Sequence, residues 1–214
     1  MSKEFKHIST REIEEMEKRY RVNFINSLPG FKSLNLIGTV NRKGDTNLSI
    51  VSTVTHFGSN PPLIGYISRP ESPERHTLSN ILETGSYTIN QVSESFFKEA
   101  HQTSARYPAE ISEFESVGLT PVWRKGLPIP FVAESAVTMH LSLVEKVDIQ
   151  SNGTVLTIGQ VTDVFLDHTH LMDDGNIDLE VARIVTGAGL DGYFLPQKLA
   201  RLSYAKTDRP ISEI

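Results

Sequence analysis

The sequence predicts a mainly β fold, an antiparallel barrel with helices at its periphery, formed by residues 1–214 as one domain. Three observations predict this class. Runs that are rich in β-branched residues and bounded by Gly, Pro and Asn recur along most of the chain. Helical patterns are few and lie between these runs. A chain of 214 residues is also a common size for a single all-β domain.

The N-terminal segment predicts a helix over about residues 10–28. Ser9 and Glu12 have the spacing of a capping box, in which each side chain bonds the backbone N–H of the other residue. Pairs of opposite charge four residues apart follow, and such pairs support an exposed helix. The helix is expected to end at "LPG", because proline and glycine both interrupt helices.

From Leu34 the pattern becomes that of strands. The first strands are "LNLIGTV", "NLSIVSTVTHF" and "LIGYISR", separated by the turn "NRKGDT" and the breaker "GSNPP". The sequence "SPERHTLSNILETG" predicts one helix that ends at Gly85, since proline is tolerated in a first turn and glycine commonly follows a last one. The strand "SYTINQV" comes next.

The second half of the chain predicts one helical excursion and two long strands. The excursion covers about residues 93–118, where apolar periodicity is weak. The runs "IPFVAESAVTMHLSLVEKV" and "TVLTIGQVTDVFL" follow as strands joined by the hairpin-like turn "DIQSNG". Because strands dominate, the helices are expected to cover the openings of a barrel.

Composition narrows the classes of function. The chain has no cysteine, which excludes disulfides, thiol nucleophiles and cysteine-ligated zinc or iron–sulfur sites. Its net charge of −5 argues against broad nucleic-acid binding, which needs a basic face. The charged N-terminus has no apolar signal-peptide region, and no later stretch is long and apolar enough to predict a membrane span. We therefore predict a cytoplasmic protein whose partners are small molecules.

The sequence "GAGLDG" at residues 187–192 matches the G-x-G-x-x-G pattern of dinucleotide-binding folds. That pattern needs a strand before the glycines, a helix after them and an acidic residue about 20 positions later. Here Pro196 would interrupt the first turns of the helix, and the acidic partner could only be Glu213 in a polar tail. We interpret the motif as a glycine-rich turn between two short extended segments.

Residues 47–56 form a strand-like run that favours a ligand surface. Alternate residues of a strand share a face, and both faces of this run mix aliphatic side chains with small polar ones. A surface of that kind suits a flat, partly polar ligand. The alternative is an edge strand whose hydroxyl groups are solvated.

The sequence "SRPESPERHTLSN" at residues 68–80 places arginine and hydroxyl side chains around a predicted helix start. A helix N-terminus has unpaired N–H groups and a partial positive charge, and both favour a phosphate. This stretch therefore predicts a site for one phosphate monoester, formed by Arg69, Arg75, His76, Thr77 and Ser79. Simple helix capping beside surface arginines is the alternative.

The order of these segments resembles the flavin reductase-like proteins with an FMN-binding split β-barrel, the NADH:FMN oxidoreductase group. The resemblance covers about residues 23–166, and more loosely the tail at 187–193, and is carried jointly by "NPP", "HTLSNI" with "ETGSYTIN", and "LTIGQV" at these spacings. It implies that the strand at 49–55 lies along the flavin ring and that Arg69, Arg75 and Thr77 surround the phosphate. The sequence departs from many relatives at Asn152-Gly153, where they have a histidine, so no nicotinamide-side histidine is expected there.

The resemblance also implies a cofactor, a reaction and an assembly. FMN is the expected cofactor, NADH or NADPH is the expected hydride donor, and a homodimer with FMN at or beside its interface is the expected assembly. No conventional catalytic acid or base is expected, because the chemistry lies on the flavin. A flavin-binding electron carrier with little nicotinamide turnover is the alternative, and a cofactor-free structural barrel is a weaker one. The cofactor-binding candidates are Asn47, Ser49, Ser52, Thr53, Val54, Thr55, Arg69, Arg75, His76, Thr77 and Asn80.

The segment 167–174 contains His168 and His170 among aspartates. Imidazole and carboxylate groups this close together could bind a metal, and a histidine here could contact substrate if the loop covers the flavin. The sequence "DDGN" in this region is typical of a turn. We therefore expect a solvated loop and predict no metal site.

A further histidine and three aromatic residues have structural interpretations. His140 lies inside a strand and is expected to be a hydrogen-bonded histidine of the barrel. Aromatic side chains can provide a surface beside a flavin or at a subunit contact. Core packing is the default expectation for each of Trp123, Phe131 and Tyr193.

Overall fold

A computed structural model of the chain describes residues 4–70 and 76–214. The helices are α1 (Thr10–Glu15), α2 (Lys18–Ser27), α3 (His76–Thr84), α4 (Phe97–Gln102) and α5 (Glu113–Val117). The strands are β1 (Lys32–Ser33), β2 (Asn35–Val40), β3 (Thr46–Val51), β4 (Thr55–Ser59), β5 (Pro62–Ser68), β6 (Ser86–Gln91), β7 (Pro121–Arg124), β8 (Leu127–Val132), β9 (Val137–Ile149), β10 (Thr154–Leu166), β11 (Thr186–Ala188) and β12 (Gly192–Phe194). A short 3-10 turn covers His168–His170.

A seven-stranded sheet forms the body of the molecule, in the order β3-β2-β6-β9-β10-β5-β4. Its neighbouring strands are antiparallel. The β9–β10 ladder shifts register at Ile158/Gly159 and at Val161/Asp163, and irregularities of this kind bend and twist a sheet. The predicted mainly β class with antiparallel strands is confirmed.

Smaller sheets lie beside this one. Strands β7 and β8 form a hairpin. Strand β1 pairs with β11, which pairs with β12, and this places Lys32 opposite Gly187. The small three-stranded sheet therefore joins a segment near the start of the chain to one near its end.

Two groups of buried side chains fill the interior. One joins β2 and β3 to the helices α4 and α5 and includes Leu36, Leu48 and Phe114. The other includes Ile37 and Phe131. Leu36 and Ile37 are successive residues of one strand, so the two groups lie on opposite faces of β2. Phe131 is fully buried, which confirms the expectation that it packs in the core.

The N-terminal segment forms two helices and not the single helix predicted over 10–28. The capping box of α1 is present, with the Ser9 backbone N–H donating to the Glu12 carboxylate at 2.7 Å and the Glu12 N–H donating to Ser9 Oγ at 3.3 Å. The Glu17 carboxylate then accepts from the Tyr20 N–H at 3.0 Å, which caps α2 as a separate helix. Neither helix has a buried residue, so no core packing keeps the segment continuous.

The helical excursion predicted over 93–118 consists of α4 and α5 with turns between them. Helix α5 ends at Val117 and is capped by Gly118, whose φ of 78° lies in the left-handed region that favours glycine. The helix predicted before Gly85 is α3, and the Gly85 N–H donates to the Ile81 carbonyl at 2.7 Å. In the part of the chain that the structure describes, no helix combines the length and the apolar content needed to cross a bilayer.

Candidate functional site

A cleft of about 270 Å³ lies beside the edge strand β3. Its walls come from five separate parts of the chain: Leu34 between β1 and β2, the end of β3, the residue after β5, helix α4 with the turn that follows it, and the β11–β12 hairpin. The residues used below are Ile50, Val51, Ser52, Arg69, His101, Ser104, Gly187, Gly189, Gly192 and Tyr193, and all of them line the cleft.

The strand predicted over 47–56 is interrupted where it borders this cleft. Val51 is the last residue of β3 to pair with β2, and Thr55 is the first residue of β4 to pair with β5. Among residues 4–70 and 76–214, no acceptor bonds the backbone N–H of Ser52, Thr53 or Val54. Since backbone N–H groups are strong donors that require a partner, this segment offers three successive donors to a ligand or to water.

Other groups of the same segment are firmly bonded. The Thr53 hydroxyl donates to the Ile67 carbonyl at 3.1 Å and accepts from the Ile67 N–H at 3.0 Å. The Val54 carbonyl accepts from Ser33 Oγ at 3.2 Å. These bonds fix the segment to β5 and β1, so its free N–H groups are held in place by their neighbours.

The glycine-rich motif forms the β11–β12 hairpin on the other side of the cleft. Gly187 pairs with Tyr193, and Gly189 begins the turn with a φ of 64°. This confirms the interpretation of the motif as a turn between extended segments. A Cβ atom at Gly187 would lie 2.9 Å from a methyl carbon of Leu34, so glycine lets the hairpin approach β1 closely. Sequence reasoning did not place this hairpin at a site.

The cleft carries positive charge in a chain whose net charge is −5. Arg69 contributes a guanidinium group to the lining, and His101 contributes an imidazole. Among the described residues that line the cleft there is no aspartate or glutamate. The site is therefore better suited to an anionic ligand than to a cationic one.

Three of the predicted cofactor-binding residues meet in a polar network between α3, β2 and β3. Thr77 Oγ1 donates to Asn47 Oδ1 at 2.7 Å, and Asn80 Nδ2 donates to Thr39 Oγ1 at 3.1 Å. Asn47 Nδ2 donates to the Glu113 carboxylate at 2.7 Å. Burial raises the pKa of Glu113, while its hydrogen bonds oppose that shift. The network fixes the start of α3 to the strand that leads to the cleft.

The other cofactor-binding candidates lie at varied positions. Ser52 and Arg69 line the cleft. Ser49 and His76 are half-buried, and Thr55 is exposed on β4. Arg75 lies outside the described residues, 4–70 and 76–214. The binding role of each candidate remains a prediction.

His140 is a hydrogen-bonded histidine of the barrel, as predicted. Its Nε2 contacts Ser86 Oγ at 2.6 Å, and its Nδ1 lies 2.5 Å from Thr162 Oγ1 and 3.5 Å from the Asp163 carboxylate. Burial lowers the pKa of His140, and Asp163 partly opposes this shift. The imidazole therefore joins β9 to β6 and β10.

The loop that contains His168 and His170 begins with a local cap. The Asp167 carboxylate accepts from the Thr169 N–H at 2.9 Å, and His168 is exposed. Within the described ranges, no group of three or more His, Cys, Asp or Glu side chains is arranged to hold a metal ion. Neither histidine lines the cleft.

Two aromatic residues differ from the core-packing expectation. Trp123 is 52% exposed, because β7 lies in a peripheral hairpin. Tyr193 is half-buried and lines the cleft, where its hydroxyl lies 2.8 Å from His101 Nδ1. The residues that sequence reasoning missed at the site are therefore His101, Ser104 and the hairpin glycines, whereas Tyr193 had been considered as an aromatic surface beside a flavin.

A family model and a solved structure both relate the chain to flavin reductase-like proteins. Residues 30–178 match the model of the flavin reductase like domain. A crystal structure of a proposed flavin reductase with a split barrel domain from Shewanella frigidimarina is 51% identical, with a TM-score of 0.91 over 94% of this chain and 100% of that one. This similarity confirms the split-barrel fold.

More distant structures share the architecture. Flavoredoxin of Desulfovibrio vulgaris is 25% identical, with a TM-score of 0.69 over 83% of this chain and 91% of that one. Component B of nitrilotriacetate monooxygenase from Bacillus cereus is 22% identical, with a TM-score of 0.81 over 92% of this chain and 98% of that one. The second similarity concerns the fold alone.

Proposed function

The chain belongs to the family of flavin reductase-like domains, and from that premise we propose that it binds FMN and transfers hydride from NADH or NADPH to the flavin. When bound, FMN supplies the redox chemistry, since its ring accepts a hydride and passes electrons on. The protein has to bind the ring and the phosphate, orient them and leave one face of the ring open to the donor.

The three N–H groups of Ser52–Val54, which have no acceptor among residues 4–70 and 76–214, carry this proposal. A flavin has carbonyl and ring-nitrogen acceptors along one edge, and donors held in place can bond that edge without a conformational change. The Thr53 hydroxyl and the Ser33 hydroxyl already fix the segment. We assign the segment the task of orienting the ring through its backbone.

The remaining walls of the cleft also fit FMN. The glycines of the β11–β12 hairpin have no side chains, so a flat ring can lie against their backbone. Arg69 offers a guanidinium for the phosphate. The start of α3 does not line the cleft, but the bond from Thr77 to Asn47 keeps it beside β3, and a helix N-terminus favours an anion.

Anaerobic mixing tests the function directly. The purified protein is loaded with FMN, mixed with NADH and with NADPH in separate experiments, and monitored by the visible absorbance of oxidised flavin. Bleaching by at least one nucleotide is the expected result. No FMN binding at all would contradict the whole proposal, whereas binding without bleaching would contradict the hydride-transfer step alone.

Arg69→Ala tests the phosphate assignment, with Arg42→Ala as the matched control. Arg42 is a surface arginine whose guanidinium lies 3.7 Å from the Glu83 carboxylate, and it does not line the cleft. A charge-assisted contact contributes about 1.5–3 kcal/mol, which predicts a loss of roughly 10- to 150-fold in FMN affinity for Arg69→Ala. Equal affinities in the two variants would place the phosphate elsewhere.

A second candidate function is a flavin-binding electron carrier with little nicotinamide turnover. The similarity to a flavoredoxin favours it. In that case the flavin would exchange electrons with a redox partner and react slowly with both nucleotides. The same anaerobic experiment separates the two functions, because a carrier keeps its flavin oxidised after either nucleotide is added.

We further propose a homodimer that supports the FMN site. The C-terminal tail exposes large apolar side chains, with Leu199 98% exposed and Tyr204 86% exposed, and such surfaces mark contacts with partners. Light scattering together with FMN titration over a range of protein concentrations tests this assembly. A monomer that keeps full FMN affinity on dilution would exclude a shared site. The cytoplasmic location remains a prediction.

A further inference from the structure

The outer edge of β3 is covered by side chains and not by a neighbouring strand. Strand β3 lies at one end of the seven-stranded sheet, so every second N–H group along it points away from β2. The Leu48 N–H donates to the Glu113 carboxylate at 3.0 Å, and the Ile50 N–H donates to Thr103 Oγ1 at 3.0 Å. Both acceptors belong to the helical excursion that contains α4 and α5. The excursion therefore takes the place of a further strand at this edge.

The next N–H group in this outward series is that of Ser52, and it is left for a ligand. Among residues 4–70 and 76–214, no acceptor bonds the Ser52 N–H, and Ser52 lines the cleft. A continuous neighbouring strand would go on pairing along the edge and would bond this group as well. Two separate side-chain acceptors end at Ile50, and they also keep this part of the edge from pairing with another chain. The edge is therefore bonded up to the cleft and open inside it.

Thr103 is held firmly at the point where the bonded part of the edge ends. Its hydroxyl donates to the Ala100 carbonyl at 2.8 Å while it accepts from the Ile50 N–H, and the residue is buried. His101 and Ser104, on either side of this position in the chain, line the cleft, and so does Ile50. The bond between Ile50 and Thr103 therefore joins the β3 wall of the cleft directly to the α4 wall.

We propose that Thr103 is a positioning residue for the FMN site, which holds β3 so that the Ser52 N–H meets an acceptor on the flavin. This inference rests on the proposed function and deepens it by assigning a role to the helical excursion. Thr103 does not line the cleft, so it acts through Ile50, two residues before the donor. Its hydroxyl fixes the donor before the cofactor arrives, which lowers the cost of ordering the strand on binding.

Amide hydrogen exchange of the wild-type protein, resolved by residue with NMR, tests how the edge is divided. Without FMN, we expect slower exchange at Leu48 and Ile50, whose N–H groups are bonded within the protein, than at Ser52. Addition of FMN should slow the exchange at Ser52. Binding of FMN with no change at Ser52 would overturn the inference and leave the function standing.

Two substitutions at Thr103 and one control test its role. Thr103→Val keeps the shape of the side chain and removes the acceptor, whereas Thr103→Ser keeps the hydroxyl. Thr88→Val is the matched control, because Thr88 is also buried and its hydroxyl also makes two bonds. That hydroxyl accepts from Asn90 Nδ2 at 2.9 Å and donates to the Pro130 carbonyl at 2.8 Å, and Thr88 does not line the cleft.

The FMN dissociation constant and the Tm of the cofactor-free protein are measured for each variant. We expect Thr103→Val to raise the dissociation constant by about 2- to 12-fold, which corresponds to one neutral hydrogen bond. Thr103→Ser should return it to within about 2-fold of the wild-type value, and Thr88→Val should stay within the same range. Both valine variants should lower the Tm, because each removes the hydrogen bonds of a buried hydroxyl.

The outcomes separate a positioning role from a structural one. If Thr103→Val and Thr88→Val have the same FMN dissociation constant and a similar fall in Tm, Thr103 only stabilises the fold and the inference is overturned. The same holds if Thr103→Ser binds FMN as weakly as Thr103→Val. In both cases the wild type still binds FMN, and the proposed function stands. If the wild type binds no FMN, the function and the inference are both overturned.

Discussion

Thr53→Val is expected to weaken FMN binding without a large effect on the fold. Valine keeps the shape of threonine and removes the hydroxyl that bonds the Ile67 carbonyl and the Ile67 N–H. Each neutral hydrogen bond contributes about 0.5–1.5 kcal/mol to stability. Thr53 is exposed, so water can replace part of both bonds, and we expect a total loss of about 1 kcal/mol, or roughly 2–4 °C in Tm for a domain of this size.

The larger effect should be on the cofactor. Without the hydroxyl, the N–H groups of Ser52–Val54 are no longer fixed to β5, and ordering them becomes part of the cost of binding. Ordering one residue at about 1–2 kcal/mol predicts a loss of roughly 5- to 30-fold in FMN affinity. Fluorescence titration with FMN and thermal unfolding of the cofactor-free protein measure the two effects separately.

The control for this prediction is Thr120→Val, an exposed threonine that does not line the cleft. A Thr53→Val protein with the FMN affinity of this control would refute the assignment of Ser52–Val54 as the ring-orienting segment. A fall in Tm with unchanged affinity would show that the Thr53 hydroxyl has a structural role alone.

Three further substitutions test other parts of the structure. His140→Leu removes the imidazole that contacts the Ser86 and Thr162 hydroxyls, and it should lower the free energy of unfolding by about 2–4 kcal/mol in chemical denaturation. Because burial lowers the pKa of His140, the stability of the wild type should fall as the pH drops below about 6.5. The variant should lose this pH dependence. Arg183 has a φ of 54° and a bidentate ion pair with Glu94 at 2.5 Å. Arg183→Gly and Arg183→Ala both lose the ion pair, and the glycine variant should have the higher Tm because glycine adopts a positive φ without strain. Equal Tm values would mean that the backbone at this position is unstrained. A Cβ atom at Gly159 would overlap the Tyr87 hydroxyl oxygen, so Gly159→Ala should lower the free energy of unfolding by about 1–3 kcal/mol, and no loss would mean that Tyr87 moves freely.

The sequence predicted many of the strands and helix α3 because their signals are local, although the run predicted as one strand from Ile129 to Val147 forms β8 and β9 in two different sheets. Alternating β-branched runs and the glycine after α3 depend on nearby residues alone. The interruption after Val51 was not predictable in this way, since the β-branched pattern continues through Thr53 and Val54. The break comes from the tertiary bonds of Thr53 and Val54 to residues of β5 and β1.

The candidate site was predicted only in part, because local signals identify some of its residues and tertiary contacts bring in the others. Ser52 and Arg69 belong to stretches with a local signature of phosphate or flavin binding. His101 carries no such signature, and the contact that brings it to Tyr193 spans 92 positions of sequence. A contact between segments so far apart depends on the tertiary fold, and the periodicity of residues along the chain does not predict it.

The pairing of β1 with β11 determines when the cleft can exist during synthesis. The seven-stranded sheet is complete once β10 has been made, at Leu166. The wall that contains Gly187 and Tyr193 is translated after that point and has to find Lys32, near the other end of the chain. A nascent chain that has just released its barrel from the ribosome therefore still has an open site. A chain that ended before the hairpin would keep the strands of the seven-stranded sheet but would lack the residues of β11 and β12 that line the cleft.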